Sequence, residues 1–378
     1  MTHCPLSAAK DVVILVGDVL EHLRTLPDAS VDCVVTSPPY WGLRDYGVAG
    51  QLGMEATLDD HLELMVNKVF AEIWRVLKPS GTCWVNYGDC YASTANGRKA
   101  ADITDDDRGF VDKPFSTIGG VLKAKDLCMM PNRFAIKMQE FGWWVRSEII
   151  WAKPNPMPES VYDRPATSHE KIFLFTKSAR YDYDARTVRR CAADSSLQRW
   201  SQDIENQKGS NRANGGAKIN GMMKAVGGPK KDKQRGHSRR HAGFNDRWDK
   251  MTLAEQQSGG RNLRNYESPQ TFEVWEMATR PFKDAHFATF PEALPRRCIA
   301  AGCPPGGVVL DPFGGAGTTA LAAKNLGRQA ILIELNPDYA DIAAARLRAA
   351  HCHVDGVAQP ESDSAGPLFA AQAKEAGT

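Results

Sequence analysis

The chain has 378 residues and a formal net charge of +2, from 47 Lys and Arg against 45 Asp and Glu. That near-balance would exclude a strongly basic nucleic-acid binder if the charge were spread evenly. It is not, because 18 Lys and Arg stand against 7 Asp and Glu between Arg186 and Arg264, a net charge of +11 that leaves −9 for the rest. Charge distribution indicates partners better than the total does, so a basic segment within an acidic body is predicted.

Length and composition also limit the class of protein. The length suggests one large or two modest domains, and 42% hydrophobic residues suffice for a sizeable core. No run approaches the ~18 apolar residues of a membrane span, and the first residues, MTHCPLSAAK, lack the apolar stretch of a signal peptide. Nine cysteines without CxxC spacing predict neither a disulfide framework nor a zinc site. We therefore expect a cytoplasmic protein with no membrane partner.

Strand and helix patterns alternate through the first half, 1–184. Apolar, β-branched runs typical of buried strands lie at 11–18, 31–40, 82–89, 143–155 and 170–177. Helical spacing lies between them at 19–30, 58–76 and 131–142. The segment KPSG is predicted to end the second helix before the next strand begins. This repeated order predicts an α/β fold with a doubly wound sheet.

The pattern changes in the middle of the chain. At 185–266 apolar periodicity disappears, and Asn, Gln, Gly, Ser and basic residues dominate. We predict a basic, partly disordered insert here. A second strand–helix–strand half follows at 267–353, and the Ala-, Gly- and Gln-rich residues 354–378 are predicted to form a flexible tail.

A glycine-rich turn within the second half, GVVLDPFGGAGTT, lies between a strand and a helix. Gly314, Gly315 and Gly317 allow positive φ and a close approach of the backbone to a ligand. Glu334 ends the next strand, at the distance from the turn where an acidic residue typically binds ribose hydroxyls. The turn therefore predicts an adenosine-containing cofactor, and the alternative is a tight turn whose glycines serve packing.

Two features distinguish this turn from a dinucleotide site. The GxGxxG pattern is incomplete, because Ala320 stands where the third glycine belongs. Asp311 at the strand end would repel a pyrophosphate but attract an ammonium group. The turn therefore favours a zwitterionic ligand such as S-adenosylmethionine over NAD.

A proline turn, TSPPYW, follows the second strand. Pro38 and Pro39 fix two φ angles and offer no N–H, and Ser37 is held extended before them. The Ser37 hydroxyl and the Pro38 carbonyl can accept hydrogen bonds from an exocyclic amino group, while Tyr40 can stack on the base. Such acceptors make the amino nitrogen more nucleophilic. The alternative is an ordinary turn that ends a strand.

Together these two motifs resemble those of the DNA amino-methyltransferases. Their acceptor motif is Asp, Asn or Ser followed by Pro-Pro and an aromatic residue, here Ser37–Tyr40. Their cofactor motif is similar to DPFxGSGTT, here Asp311–Thr319 with Ala316 in place of the usual serine. The order, acceptor motif first and cofactor motif last with an insert between, resembles the permuted β-class. The resemblance covers most of 11–350 except the insert.

The resemblance implies a Rossmann-like methyltransferase fold, S-adenosyl-L-methionine as cofactor and a flipped base as substrate. The implied catalytic residues are Ser37, Pro38, Pro39 and Tyr40. The implied cofactor-binding residues are Asp18 near the adenine, Glu334 on the ribose, Phe313 in the pocket wall, and Asp311, Gly314, Gly315, Gly317 and Thr318. Asp18 is equally well explained as a helix N-cap, and Asp89 is better explained as a turn residue than as a site residue. Arg164, His169 and Glu170 also fit the family.

The implied partner is double-stranded DNA, with the insert as the target-recognition region. Its Lys and Arg would contact phosphates, and its Asn, Gln and Arg would contact base edges. Serine at the first motif position is more common in N4-cytosine enzymes, so N4 of cytosine is the expected target and N6 of adenine the alternative. The resemblance leaves open a homodimer and a cognate restriction endonuclease.

Other functions fit the residues less well. Methylation of an RNA base or a protein amide is disfavoured by the basic insert and the permuted order. A catalytically silent DNA-binding module is disfavoured by the intact Ser37, Tyr40, Asp311 and Glu334. A dinucleotide oxidoreductase is disfavoured by the departure from GxGxxG.

Overall fold

The computed structural model describes residues 11–95, 111–188, 273–279, 290–352 and 354–358. By its contacts the chain divides into two units, one of Met1–Val188 with Phe272–Thr378 and one of Arg189–Thr271. All described residues belong to the first unit. The predicted insert therefore lies almost wholly outside the described residues, and its boundaries stay a prediction.

Strands and helices alternate along the described chain. The strands are β1 (Val12–Val16), β2 (Val31–Thr36), β3 (Arg44–Asp45), β4 (Leu77–Tyr87), β5 (Val111–Asp112), β6 (Trp144–Ala152), β7 (His169–Thr176), β8 (Val274–Glu276), β9 (Val308–Asp311), β10 (Gln329–Glu334) and β11 (Val354–Ala358). The helices are α1 (Val19–Thr25), α2 (Leu58–Leu64), α3 (Ala71–Val76), α4 (Met130–Phe141), α5 (Ala293–Gly302), α6 (Thr318–Asn325) and α7 (Pro337–Ala349). A π-helical turn (Met65–Phe70) joins α2 to α3. None of the helices in these ranges is long and apolar enough to cross a membrane.

One large mixed sheet organises these elements. Its strand order is β11-β1-β10-β9-β2-β4-β7-β6-β8. Neighbours from β11 to β4 are parallel, whereas β7 runs antiparallel to both β4 and β6. The chain leaving β2 moves to β4 on one side, and the chain leaving β9 moves to β10 on the other. The predicted doubly wound sheet is thus confirmed, with its reversal of strand order between β9 and β2.

Both faces of the sheet are covered by helices. Val13 and Leu15 of β1 belong to an apolar cluster with residues of α1 to α4, whereas Val12 and Ile14 belong to a second cluster with residues of α5 to α7. Successive side chains of a strand point to opposite faces, so a strand between two helical layers must be apolar throughout. This is the physical reason for the continuous apolar runs in the sequence.

The helix predicted between Leu58 and Val76 is confirmed, since the apolar residues that predicted it are buried and α2, the π-helical turn and α3 fill the range. The prediction for KPSG is wrong in one respect. β4 begins at Leu77, directly after the helix, and includes these residues. Leu77 pairs with the first residue of β2, and Lys78 forms an ion pair with Asp32. Pairing with β2 therefore extends the strand through a segment that looks like a turn.

The C-terminal tail does not begin where the sequence predicts. Val354–Ala358 forms β11, which pairs in parallel with β1 at the edge of the sheet. A strand this short has no clear periodicity, so only its partner reveals it. The remainder of the predicted tail, 359–378, lies outside the described residues.

Candidate active site

The carboxyl ends of four neighbouring parallel strands bring the predicted site residues to one edge of the sheet. Asp18 follows β1, Glu334 ends β10, Asp311 ends β9 and Ser37 follows β2. Thr36 Oγ1 donates a hydrogen bond to Asp311 Oδ1 at 2.7 Å, although 275 residues separate the two. The acceptor and cofactor motifs therefore meet, at the point where ligands bind in open α/β sheets.

A cavity of about 1120 Å³ opens at this edge. Its wall includes most of the predicted residues, namely Asp18, Ser37, Pro38, Pro39, Tyr40, Asp311, Phe313, Gly314, Thr318 and Glu334. Gly315 and Gly317 are outside this wall and shape the turn that forms it. The cavity is large enough for an adenosine-containing ligand together with a base.

The glycines of the turn have separate steric reasons. Gly315 has φ 48° and Gly317 has φ 76°, where a side chain would be strained. Gly317 is also the N-cap of α6. A Cβ at Gly314 would lie 2.9 Å from Leu332 Cβ, so this glycine serves close packing. Packing thus explains Gly314, while Gly315 and Gly317 give the turn its shape.

Asp311 is a buried carboxylate, only 2% exposed. Its Oδ1 accepts from Thr36 Oγ1 and from Phe313 N, and its Oδ2 accepts from Thr319 Oγ1 at 2.6 Å. Burial raises the pKa of Asp311 to about 7, against the opposing effect of these hydrogen bonds. A carboxyl group that ionises near neutral pH inside a cavity is suited to bind a cation.

Glu334 joins the glycine turn to the end of β10. Its Oε2 accepts from Gly315 N at 2.7 Å and its Oε1 accepts from Asn336 N at 2.9 Å. Burial raises its pKa above the usual range. The side chain lines the cavity, where carboxylate oxygens can accept from hydroxyl groups, and its predicted ribose contact stays a prediction.

Two aspartates at strand ends accept hydrogen bonds from backbone N–H groups at the start of helices. Asp18 Oδ1 accepts from Leu20 N at 2.8 Å and from Glu21 N at 3.0 Å, so the N-cap interpretation is confirmed. Asp89 Oδ1 accepts from Met130 N at 3.1 Å, at the start of α4, and burial raises its pKa. Both side chains also line the cavity. A contact between Asp18 and adenine stays a prediction.

Tyr40 of the acceptor motif is held by a second aromatic ring. It stacks on Tyr87 with ring centroids 5.2 Å apart and an interplanar angle of 16°. Gly88 makes room for it, because a Cβ there would lie 2.5 Å from Tyr40 Cε2. The ring is therefore fixed from behind and lines the cavity beside Ser37.

Sequence reasoning missed a polar network around the Tyr40 hydroxyl. That hydroxyl donates to Glu170 Oε2 at 3.1 Å, and Asn86 Nδ2 donates to the same carboxylate oxygen at 2.8 Å. Lys153 forms an ion pair with Glu170. Glu170 comes at the start of β7 and Lys153 follows β6. Because β7 runs antiparallel to β4 and β6, its start lies at the carboxyl edge together with the end of β6. The pattern of each strand alone does not indicate these directions.

A buried chain of hydrogen bonds supports Tyr87. His61 Nδ1 lies 2.7 Å from Glu55 Oε2, and His61 Nε2 lies 2.8 Å from Tyr87 Oη. His61 is fully buried. This chain fixes the ring on which Tyr40 stacks.

Replacing His61 by leucine is expected to lower the free energy of unfolding by about 2 kcal/mol, because Glu55 and Tyr87 would lose their buried partner. His61→Gln, which supplies an amide donor and acceptor, should lower the free energy of unfolding clearly less. Chemical denaturation of both variants measures the difference. Equal losses would show that the ring volume, not the hydrogen bonds, matters here.

The side chains of the cavity fit S-adenosylmethionine. Asp311 offers a buried negative charge for an ammonium group, Glu334 offers acceptors for hydroxyl groups, and Phe313 adds an aromatic wall. The cofactor motif Asp311–Thr319 contains no Lys or Arg that could bind a pyrophosphate. These acidic side chains thus favour a cationic ligand over a dinucleotide.

Comparisons with known proteins identify similar DNA methylases. A family model described as DNA methylase matches residues 31–345. The Type II methyltransferase M.XycI of Xanthomonas campestris pv. cyanopsidis is 40% identical over 90% of this chain and 89% of its own. M.Cfr9I of Citrobacter freundii is 40% identical over 90% and 89%, and M.SmaI of Serratia marcescens is 37% identical over 91% and 93%.

A solved structure, the cytosine-N4-specific PvuII DNA methyltransferase, has the same fold. Its TM-score is 0.54 at 17% identity, over 96% of this chain and 91% of that one. The family match covers more than half of the chain, and relatives above 30% identity span nearly all of it. The chain therefore belongs to the N6/N4 family of DNA methylases, the S-adenosylmethionine-dependent enzymes that its two motifs predict.

Proposed function

We propose that this protein transfers a methyl group to N4 of a flipped cytosine in double-stranded DNA. One observation carries the proposal: the Thr36–Asp311 hydrogen bond joins the acceptor motif to the cofactor motif, so that both line one cavity. Ser37 at the first motif position favours cytosine, since serine is more common in N4-cytosine enzymes. The PvuII enzyme, which shares the fold, is cytosine-N4-specific by name.

The chain's own residues account for the chemistry. Tyr40 stacks on the flipped base, while Ser37 Oγ and the Pro38 carbonyl accept hydrogen bonds from its amino group. These acceptors stabilise positive charge as it develops on the nitrogen. Asp311 binds the ammonium end of S-adenosylmethionine, which supplies an electrophilic methyl group on a sulfonium. The amino nitrogen would take the methyl group as the S–C bond breaks, which would leave a neutral thioether, and the surplus proton of the nitrogen would pass to solvent.

The decisive experiment identifies the modified base. The protein is expressed in a methylation-free host, and native DNA is sequenced with modification-sensitive reads. We expect N4-methylcytosine in one short sequence context. Finding N6-methyladenine instead would identify adenine as the target. Unmodified DNA from a host that contains folded protein would favour a catalytically silent DNA-binding module.

The basic insert is proposed to supply the DNA backbone contacts, although it lies outside the described residues. Reversing the charge of Lys230, Lys231 and Lys233 is expected to weaken DNA binding about tenfold or more at low salt, because three phosphate contacts would become repulsive. Fluorescence anisotropy over a salt series measures this, and the slope against salt should also decrease. Unchanged affinity and slope would assign the insert no part in binding.

Two further expectations are separate from the chemistry. A homodimer is tested by light scattering of the purified protein. A cognate restriction endonuclease is tested by looking for cleavage of unmodified DNA that the methylated DNA resists.

A further inference from the structure

The Tyr40 hydroxyl is the centre of a chain of hydrogen bonds that ends at a carboxylate. Ser37 Oγ and Tyr40 Oη are 3.1 Å apart, and Tyr40 Oη donates to Glu170 Oε2 at 3.1 Å. Asn86 Nδ2 donates to Tyr40 Oη at 3.1 Å and to Glu170 Oε2. Lys153 forms an ion pair with the other oxygen of Glu170. Three donors thus converge on one carboxylate beside the acceptor motif.

The orientation of Asn86 shows how strongly the carboxylate controls its neighbours. Asn86 is 3% exposed, and its amide turns the NH₂ group toward Glu170. This orientation leaves the buried Asn86 Oδ1 without a hydrogen-bond partner among the described residues. An ionised carboxylate accepts only, so every group that faces it must present a donor.

The same rule fixes the direction of each bond in the chain. Burial first, and then the charge of Glu170, raise the pKa of Tyr40 well above its usual range, so Tyr40 retains its proton. That single proton goes to Glu170. Ser37 must then donate its own proton to Tyr40 Oη, which leaves the lone pairs of Ser37 Oγ for another donor.

We propose that Glu170 is a positioning residue for methyl transfer, which acts through the Tyr40 hydroxyl to turn Ser37 Oγ into an acceptor for the amino group of the target base. The inference rests on the proposed function, because it requires Ser37 to contact that amino group. The hydrogen bonds run in one direction, from the base to Ser37, from Ser37 to Tyr40 and from Tyr40 to Glu170. Lys153 holds the carboxylate in place.

Glu170→Gln tests the proposal, because it keeps the shape of the side chain and reverses the direction of its hydrogen bond with Tyr40. Lys153 has only donors, so the new amide turns its carbonyl to Lys153 and its NH₂ to Tyr40. The Tyr40 proton would then go to Ser37 Oγ or to a reoriented Asn86 Oδ1, so Ser37 Oγ would no longer be fixed as an acceptor for the amino group. We expect kcat to fall about 100-fold, while the Kd for S-adenosylmethionine stays unchanged. Methyl incorporation into DNA from a methylation-free host measures kcat.

The decisive variant is Tyr40→Phe, which removes the hydroxyl that connects the two ends. Alone, Tyr40→Phe should lower kcat about tenfold, because Ser37 loses one hydrogen-bond partner. The double variant Glu170→Gln, Tyr40→Phe should have an activity within about threefold of Tyr40→Phe alone. Without the Tyr40 hydroxyl, the reversed hydrogen bond at residue 170 can no longer affect Ser37. Losses that multiply in the double variant, or a Glu170→Gln enzyme as active as the wild type, would overturn the proposal.

Two more variants separate positioning from stability. Glu170→Asp keeps an acceptor-only group and should retain more activity than Glu170→Gln; the opposite order would also overturn the proposal, even if Glu170→Gln is poorly folded. Glu148→Gln alters the neighbouring Glu148–Lys171 ion pair outside the cavity and should leave activity unchanged. An inactive wild type would instead contradict the proposed function, so the two failures are distinguishable.

Discussion

Replacing Asp311 by asparagine is expected to remove most of the affinity for S-adenosylmethionine and, above neutral pH, to raise the melting temperature of the ligand-free protein. The carboxylate is 2% exposed, so a ligand ammonium beside it forms a desolvated charge pair. Removing one partner of such a pair costs about 3 kcal/mol, or roughly 100-fold in Kd. Calorimetric titration measures the affinity, and thermal unfolding of the ligand-free protein measures the stability.

The pH dependence of stability follows from the raised pKa. Burial holds the pKa of folded Asp311 at about 7, whereas the unfolded chain loses this proton near the ordinary value of about 4. The folded state therefore binds more protons between these values, and stability falls as the pH rises from about 4 to about 7. The asparagine side chain has no proton to lose, so the stabilising effect of Asp311→Asn should be absent near the ordinary value of about 4 and largest above about 7.

Cofactor affinity should depend on pH in the opposite direction. The ionised form of Asp311 binds the ammonium group, so affinity in the wild type should increase as the pH rises toward about 7. It should level off or fall near about pH 8, where an α-amino group loses its own charge. In Asp311→Asn the rise below about pH 7 should disappear.

Asp32→Asn is the matched control. Asp32 is also a buried carboxylate of the sheet, but it pairs with Lys78 and accepts from Val308 N at the opposite end of β2. This variant should lower the stability and leave cofactor affinity unchanged. Normal cofactor affinity in Asp311→Asn would remove the ammonium assignment.

Tyr40→Ala is expected to reduce methylation by about 1000-fold while cofactor affinity stays within about threefold of the wild type. The ring supplies the stacking surface for the base, which is worth about 1–3 kcal/mol, and its loss also leaves the base poorly positioned. The variant removes the hydroxyl between Ser37 and Glu170 as well. Methyl incorporation and calorimetric titration separate the two effects.

Tyr183→Ala is the control for loss of a stacked ring. Tyr183 stacks on Trp84 with centroids 6.4 Å apart, outside the wall of the cavity. Its replacement should leave methylation unchanged. Full activity in Tyr40→Ala would exclude base stacking on Tyr40, and a parallel loss of cofactor binding would indicate a collapsed site instead.

Local patterns predicted most of the secondary structure. Buried strands between two helical layers are apolar throughout, and the amphipathic helix from Leu58 to Val76 has the period of its buried face. These signals are strong because each buried position requires an apolar residue. The start of β4 at Leu77 and the strand β11 were missed, because both depend on pairing with a distant strand.

The site was predicted in part for a similar reason. Ser37–Tyr40 and Asp311–Thr319 are contiguous motifs, so their chemistry is visible in the sequence. Glu170 fits the family pattern, but its role is not visible in the sequence. Asn86 and Lys153 are single polar residues near strand ends, and nothing local distinguishes them from surface residues. Their role depends on which strands are neighbours and on the direction of β7.

The two motifs, the alternation of strands and helices, and the prediction of a basic insert within an acidic body follow from the residues alone. These properties belong to short stretches of chain. The fold adds two facts that no local pattern contains. β2 and β9 are neighbours, which joins Thr36 to Asp311, and β7 returns antiparallel, which brings Glu170 to the Tyr40 hydroxyl. Hydrogen-bond direction and burial depend on partners far apart in the chain, and both the order and the direction of the strands set those partners.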